Sequence, residues 1–235
     1  MHIGLLACDH VADDLVAIAG DYADMFERLF ARHAPELSFV RHDVVGGDPL
    51  PDPASADGWL VTGSRHGVHD QGVTWIDELA DFVRRADAQD APMVGICFGH
   101  QLFASALGGE VQRAGQGWGV GVHEASVEHP TDWMQPASSA YRLLVSHQDQ
   151  VVRLPEGATR VATSRHAPVA AFQRDNVLGF QGHPEFTPPY AEALLSERVE
   201  RIGAPVVEAA RASLDTTTDH PIVARWIARF FTAYA

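Results

Sequence analysis

The stretch APMVGICFGHQLFASALGG, residues 91–109, decides the fold. Residues 92–96 form a short apolar run, the pattern of a strand buried on both faces. Residues 98–107 follow with apolar residues at helical spacing, and Gly108 and Gly109 close that helix as a C-cap. Only Cys97 lies between the two, with Gly95 and Gly99 two positions away on either side. A chain that passes from strand to helix through one residue must turn sharply. Small residues at those flanks let the two backbones come close. In open α/β sheets, ligands bind beyond the carboxyl ends of the strands, which is where this turn falls.

The same alternation extends upstream. Residues 3–8, 37–42 and 58–62 read as strands, and residues 46–53 as loop. Residues 22–34 place Met25, Phe26, Leu29 and Phe30 on one helical face, and residues 75–85 do the same with Ile76, Leu79, Phe82 and Val83. Alternating strands and helices imply a parallel sheet with crossover helices. The pattern changes downstream. Residues 119–127, 141–146, 159–163, 169–173 and 177–181 are short strand-like runs broken by turns, the pattern of a mostly antiparallel extension or return of the sheet. Helical patterns resume over 190–202, around 206–214, and over 222–231. The expected organisation is one domain over 1–235, with a core of about 1–190 and a helical C-terminal tail over 190–235.

Composition narrows the function. The chain has 235 residues, 46% of them hydrophobic, enough for a sizeable core. Its formal net charge of −14 argues against a nucleic-acid partner, because phosphates reward basic side chains. No run approaches the ~18 apolar residues of a membrane span. The N-terminus lacks a basic signal-peptide region and soon meets Asp9, Asp13 and Asp14, so a cytoplasmic location is expected. Two cysteines, Cys8 and Cys97, give no disulfide framework and no zinc motif. His66 and His69, in SRHGVHD, lack a third nearby ligand, so neither a metal nor another cofactor is expected.

Cys97 has two readings: a buried core thiol, or a nucleophile tipped into the cleft. The helix N-terminus behind it favours the thiolate, and the amide of Phe98 could face a developing oxyanion. A nucleophile needs a proton shuttle, and FQGHPEF, residues 180–186, supplies a candidate at the end of another strand-like run. His183 and Glu185 are two apart on an extended segment, so both can point the same way. The carboxylate can hold one ring nitrogen and leave the other for the thiol.

Taken together, GICFGHQ and GHPEF resemble the triad-type, class I glutamine amidotransferases. SHQD, residues 146–149, is similar to a stretch in the amidotransferase domain of GMP synthetase, and GWLVTGS, residues 58–64, resembles the family's oxyanion strand. The resemblance implies a flavodoxin-like α/β three-layer sandwich around a mostly parallel sheet. It implies Cys97 as nucleophile, His183 as base and Glu185 as its orienter. By the same resemblance, amides at Gly63, Ser64 and Phe98 form the oxyanion hole, Gln101 lies near the substrate amide, and Ser146 and His147 line the pocket for the α-amino and α-carboxylate groups. For His147 a structural role competes with that one.

The implied activity is hydrolysis of glutamine or another small γ-glutamyl amide through a thioester. No nucleotide-binding motif follows the amidotransferase region, which leaves two expectations. Either a separate synthase subunit receives ammonia, or the chain acts alone as a γ-glutamyl peptide hydrolase. A non-catalytic regulatory module and a different cysteine chemistry on a related fold compete with both. The intact Cys, His and Glu disfavour the regulatory module, and the HPE spacing disfavours the different chemistry.

Overall fold

In the computed structural model, which describes residues 1–234, eleven strands form two sheets. In chain order the strands are β1 (His2–Ala7), β2 (Ser38–Asp43), β3 (Gly58–Val61), β4 (Met93–Ile96), β5 (Glu110–Arg113), β6 (Gly119–Val127), β7 (Ala140–His147), β8 (Asp149–Arg153), β9 (Thr159–Ser164), β10 (Ala171–Arg174) and β11 (Val177–Phe180). The large sheet has the order β2-β1-β3-β4-β11-β10-β9-β6-β7, and β5 pairs with β8 in a small second sheet. From β2 to β11 all pairings are parallel, and from β11 to β7 all are antiparallel. The change of pattern near residue 119 marks this division.

The helices are α1 (Val16–Ala19), α2 (Tyr22–His33), α3 (Thr74–Asp87), α4 (Phe98–Ala106), α5 (Pro188–Glu197), α6 (Val199–Ile202), α7 (Ala204–Ser213) and α8 (His220–Tyr234). Strand alternation divides the core into two layers. Ile3, Leu5, Val94 and Ile96 face one side, where they meet Phe26 and Phe30 of α2 and Trp226 and Phe230 of α8. Leu6, Trp59, Val61 and Met93 face the other, against Leu79 and Phe82 of α3 and Phe103 of α4. The result is an α/β/α sandwich. Asp21 starts α2 through a capping box, its carboxylate accepting the Tyr22 amide while Asp24 accepts the Asp21 amide at 2.9 Å.

Three features were not expected. The pair β5–β8 carries too few apolar residues to show a period, and α1, four residues long, is too short for one. The helical pattern over 190–202 breaks at Arg198, which ends α5 and begins α6. The antiparallel half of the sheet also rolls back on itself. Leu144 of β7, the strand at the far edge, bridges to His183 just beyond β11.

Candidate active site

Cys97 sits where β4 becomes α4, with φ 52° and ψ −96°. A positive φ is costly for a residue with a side chain, of order 1–3 kcal/mol, and the surroundings must hold it. Here a hydrogen bond from the Cys97 amide to the Phe180 carbonyl (2.8 Å) fixes the turn to β11. The flanking glycines are required by contact. A Cβ on Gly95 would lie 2.5 Å from the Gly99 carbonyl carbon, and one on Gly99 would lie 2.6 Å from the Val61 carbonyl oxygen. Phe98 opens α4, so its amide has no acceptor within the helix. His100 points away from the site, into the core against Phe172 with ring centroids 5.1 Å apart.

Register brings the second motif alongside. Phe180 pairs with Ile96, so β11 and β4 end level and the chain continues past Cys97. The His183 amide donates to the Leu144 carbonyl (2.8 Å), which pins the segment to β7. Gly182 permits that approach: a Cβ there would lie 2.8 Å from the Leu143 Cβ. His183 Nδ1 is 2.7 Å from Glu185 Oε1, both residues are buried, and the ring stacks on Phe186 at 3.9 Å between centroids. With Nδ1 occupied by Glu185, Nε2 is the ring nitrogen left free on the side of Cys97. Burial by itself would drive the imidazole toward neutrality. The adjacent Glu185 and Cys97 outweigh it and raise the His183 pKa to about 10. Glu185 Oε2 has no protein partner, so His183 alone among the side chains holds this carboxylate.

The expected oxyanion and pocket residues lie around this centre. A Cβ on Gly63 would sit 2.9 Å from His183 Cε1 and 3.7 Å from the Cys97 Cβ, which leaves no space for a side chain there. Ser64, Cys97, Gln101, Ser146 and His147 line one cavity of about 170 Å³. His147 is held by its backbone neighbourhood: Nδ1 lies 3.0 Å from the Asp149 carbonyl, and Nε2 is buried without a partner. Burial pushes its pKa down to about 3, so it is a neutral imidazole.

Two contributors, Gln181 and Asp9, escaped the sequence reading, and the first bonds to the expected Gln101. Gln101 Nε2 donates to the Asp149 carbonyl (2.7 Å) and to Gln181 Oε1 (3.2 Å), and Gln181 Nε2 in turn donates to the Cys97 sulfur (3.6 Å). This amide chain delivers a donor to the Cys97 sulfur. Gln181 stands two positions before His183, the same spacing that joins His183 to Glu185. Asp9, buried after β1, accepts from the Arg65 amide (2.7 Å) and from Arg65 Nε (2.8 Å), tying down the loop that begins at Gly63. No group of three potential metal ligands occurs among the described residues. No helix among them is long and apolar enough to cross a membrane.

The family model for class I glutamine amidotransferases matches residues 31–200. The chain belongs to that family. It is 31% identical over 191 residues to gamma-glutamyl peptidase 4 of Arabidopsis thaliana, covering 78% of this chain and 73% of the peptidase. It is 32% identical over 197 residues to the glutamine-hydrolysing GMP synthase of Aeropyrum pernix, covering 79% of this chain but 36% of that enzyme. A glutamine amidotransferase crystal structure from Thermotoga maritima superposes with a TM-score of 0.76 over 99% of this chain and 97% of the other, at 23% identity, a likeness of fold. These relatives are enzymes, and this amidotransferase is an enzyme of the same family.

Proposed function

We propose that the chain hydrolyses γ-glutamyl amides through a thioester on Cys97, and that it does so without a synthase partner. The observation that carries this reading is the Cys97 turn at φ 52° beside a buried His183–Glu185 pair at 2.7 Å. The Cys97 thiolate attacks the γ-carbonyl carbon, forming a C–S bond and an oxyanion. Amides of Phe98 and of the Gly63 and Ser64 turn receive that charge. When the oxyanion collapses the C–N bond breaks, and the His183 imidazolium gives its proton to the departing amine. Water then attacks the thioester and neutral His183 takes its proton. The second collapse expels the Cys97 thiolate and releases glutamate.

Two observations support an amine larger than ammonia as leaving group. The likeness to the gamma-glutamyl peptidase spans most of both chains. The Cys97 cavity also adjoins a second one of about 230 Å³. The second reading is a glutaminase that hands ammonia to a synthase, and the likeness to GMP synthase favours it.

The test uses the purified chain alone with glutamine and γ-glutamyl dipeptides in parallel. Glutamate release at on the order of 0.1–10 per second is expected, with dipeptides accepted. Cys97→Ala should lower it by about 10³-fold or more. Silence on every substrate, relieved by a co-purifying partner, would favour the second reading.

A further inference from the structure

The two adjoining cavities share Arg65, Arg198 and Arg201 in their walls. The cavity at Cys97 also has Arg113, and the second is completed by Tyr22, Tyr190, Leu194 and Glu197 among others. This concentration of cations occurs in a chain of net charge −14. Of the carboxylates nearby, Asp9 is bound to Arg65, and Asp70 is engaged by His66 Nδ1 (2.9 Å) and the Gly67 amide (3.2 Å). Asp149 and Glu197 are the remaining acids in the two walls.

Arg198 and Arg201 stand apart from this pairing. Neither forms an ion pair among the described residues; nor does Arg113, which instead donates to Gln148 Oε1. Arg198 Nη1 reaches only the Ser146 hydroxyl at 3.4 Å, and the Arg201 guanidinium lies 4.9 Å over the Trp118 ring. Arg198 lies at the junction of α5 and α6, and Arg201 one turn on, in the short α6. A guanidinium presents paired donors that match a carboxylate.

We infer that Arg198 and Arg201 select the leaving group, favouring γ-glutamyl peptides whose departing amino acid carries a free carboxylate. This rests on the hydrolase reading above and names its substrate class. A carboxylate on the amine side would reach the arginines shared by the two cavities, while the γ-carbonyl stays at Cys97. Ammonia offers these residues nothing. The two arginines act as binding groups and take no part in bond making. Their contribution therefore belongs in KM more than in kcat.

The experiment compares γ-glutamylglycine with γ-glutamylglycinamide, which differ only in the carboxylate. Wild type should show a kcat/KM ratio of about 10–100 in favour of the free acid, the range expected for charge-assisted hydrogen bonds. In the doubly substituted Arg198→Ala, Arg201→Ala chain the ratio should fall toward one through KM. Arg198→Lys with Arg201→Lys, which keeps both charges, should restore part of it. A wild-type ratio near one would overturn the inference. So would an unchanged ratio in the double alanine variant with both substrates slowed alike, which would place the arginines on the glutamyl α-carboxylate. Calorimetric binding of the two peptides to Cys97→Ala gives the same ratio without turnover. If wild type hydrolysed neither peptide, the hydrolase reading would fail, and equal affinities in calorimetry would separately refute the role of the arginines.

Discussion

Cys97 combines a strained backbone with two supports: the Phe180 carbonyl on its amide and the Gln181 side chain on its sulfur. Glu185 helps set the charge of the His183 ring. While it and Cys97 together raise the His183 pKa to about 10 against burial, the imidazolium persists through neutral pH and can protonate a departing amine. As pH rises through that value the proton leaves and the acid is lost, so kcat/KM should fall on the alkaline side. Glu185→Gln removes the carboxylate that favours the cation. The alkaline fall should then move to lower pH, with a loss of about 10²-fold near neutrality, as for general acid catalysis. A pH–rate profile of both forms checks this, and an alkaline limb that stays in place would remove Glu185 from its orienting role. The residues of the two motifs were readable because their spacing is local. Gln181 and Asp9 were not, since each acts through a partner distant in the chain, Gln101 and Arg65 respectively.

Elements with a strong hydrophobic period stand where the pattern places them, as α2, α3 and β6 show. β5 and β8 were invisible because exposed polar residues interrupt them; of Glu110–Arg113 only Val111 is buried. Sheet order was equally hidden. β11 inserts next to β4 although other strands intervene in the chain, and only pairing across the chain determines that. The helical tail is built into the sandwich. Trp226 of α8 is fully buried, lies against Tyr141 and Trp133, and donates from Nε1 to the Pro136 carbonyl at 2.9 Å. Trp226→Ala should cost about 3–5 kcal/mol, read as a lowered urea midpoint. A change below about 1 kcal/mol would mean that α8 rests on the core without supporting it.

Across the whole molecule, charge and shape divide the work. All 17 of the basic Lys and Arg residues are arginines, against 31 acidic ones, yet four arginines border the one cavity that contains Cys97. The composition signalled a net acidic chain, and the motifs a cysteine chemistry. Neither could signal the local reversal of charge, because Arg65 and Arg113 come from loop and strand positions far from Arg198 and Arg201. Folding brings all four to the same cavity, beside Cys97 where β4, α4 and β11 meet. The most direct test of the thioester reading is to quench the wild-type chain with acid during turnover of a γ-glutamyl peptide, digest it, and weigh the peptide containing Cys97. That peptide should carry one glutamyl group on sulfur, which disappears as substrate runs out and never forms in Cys97→Ala. Steady glutamate release with Cys97 unmodified throughout, or a glutamyl group found on another residue, would contradict it.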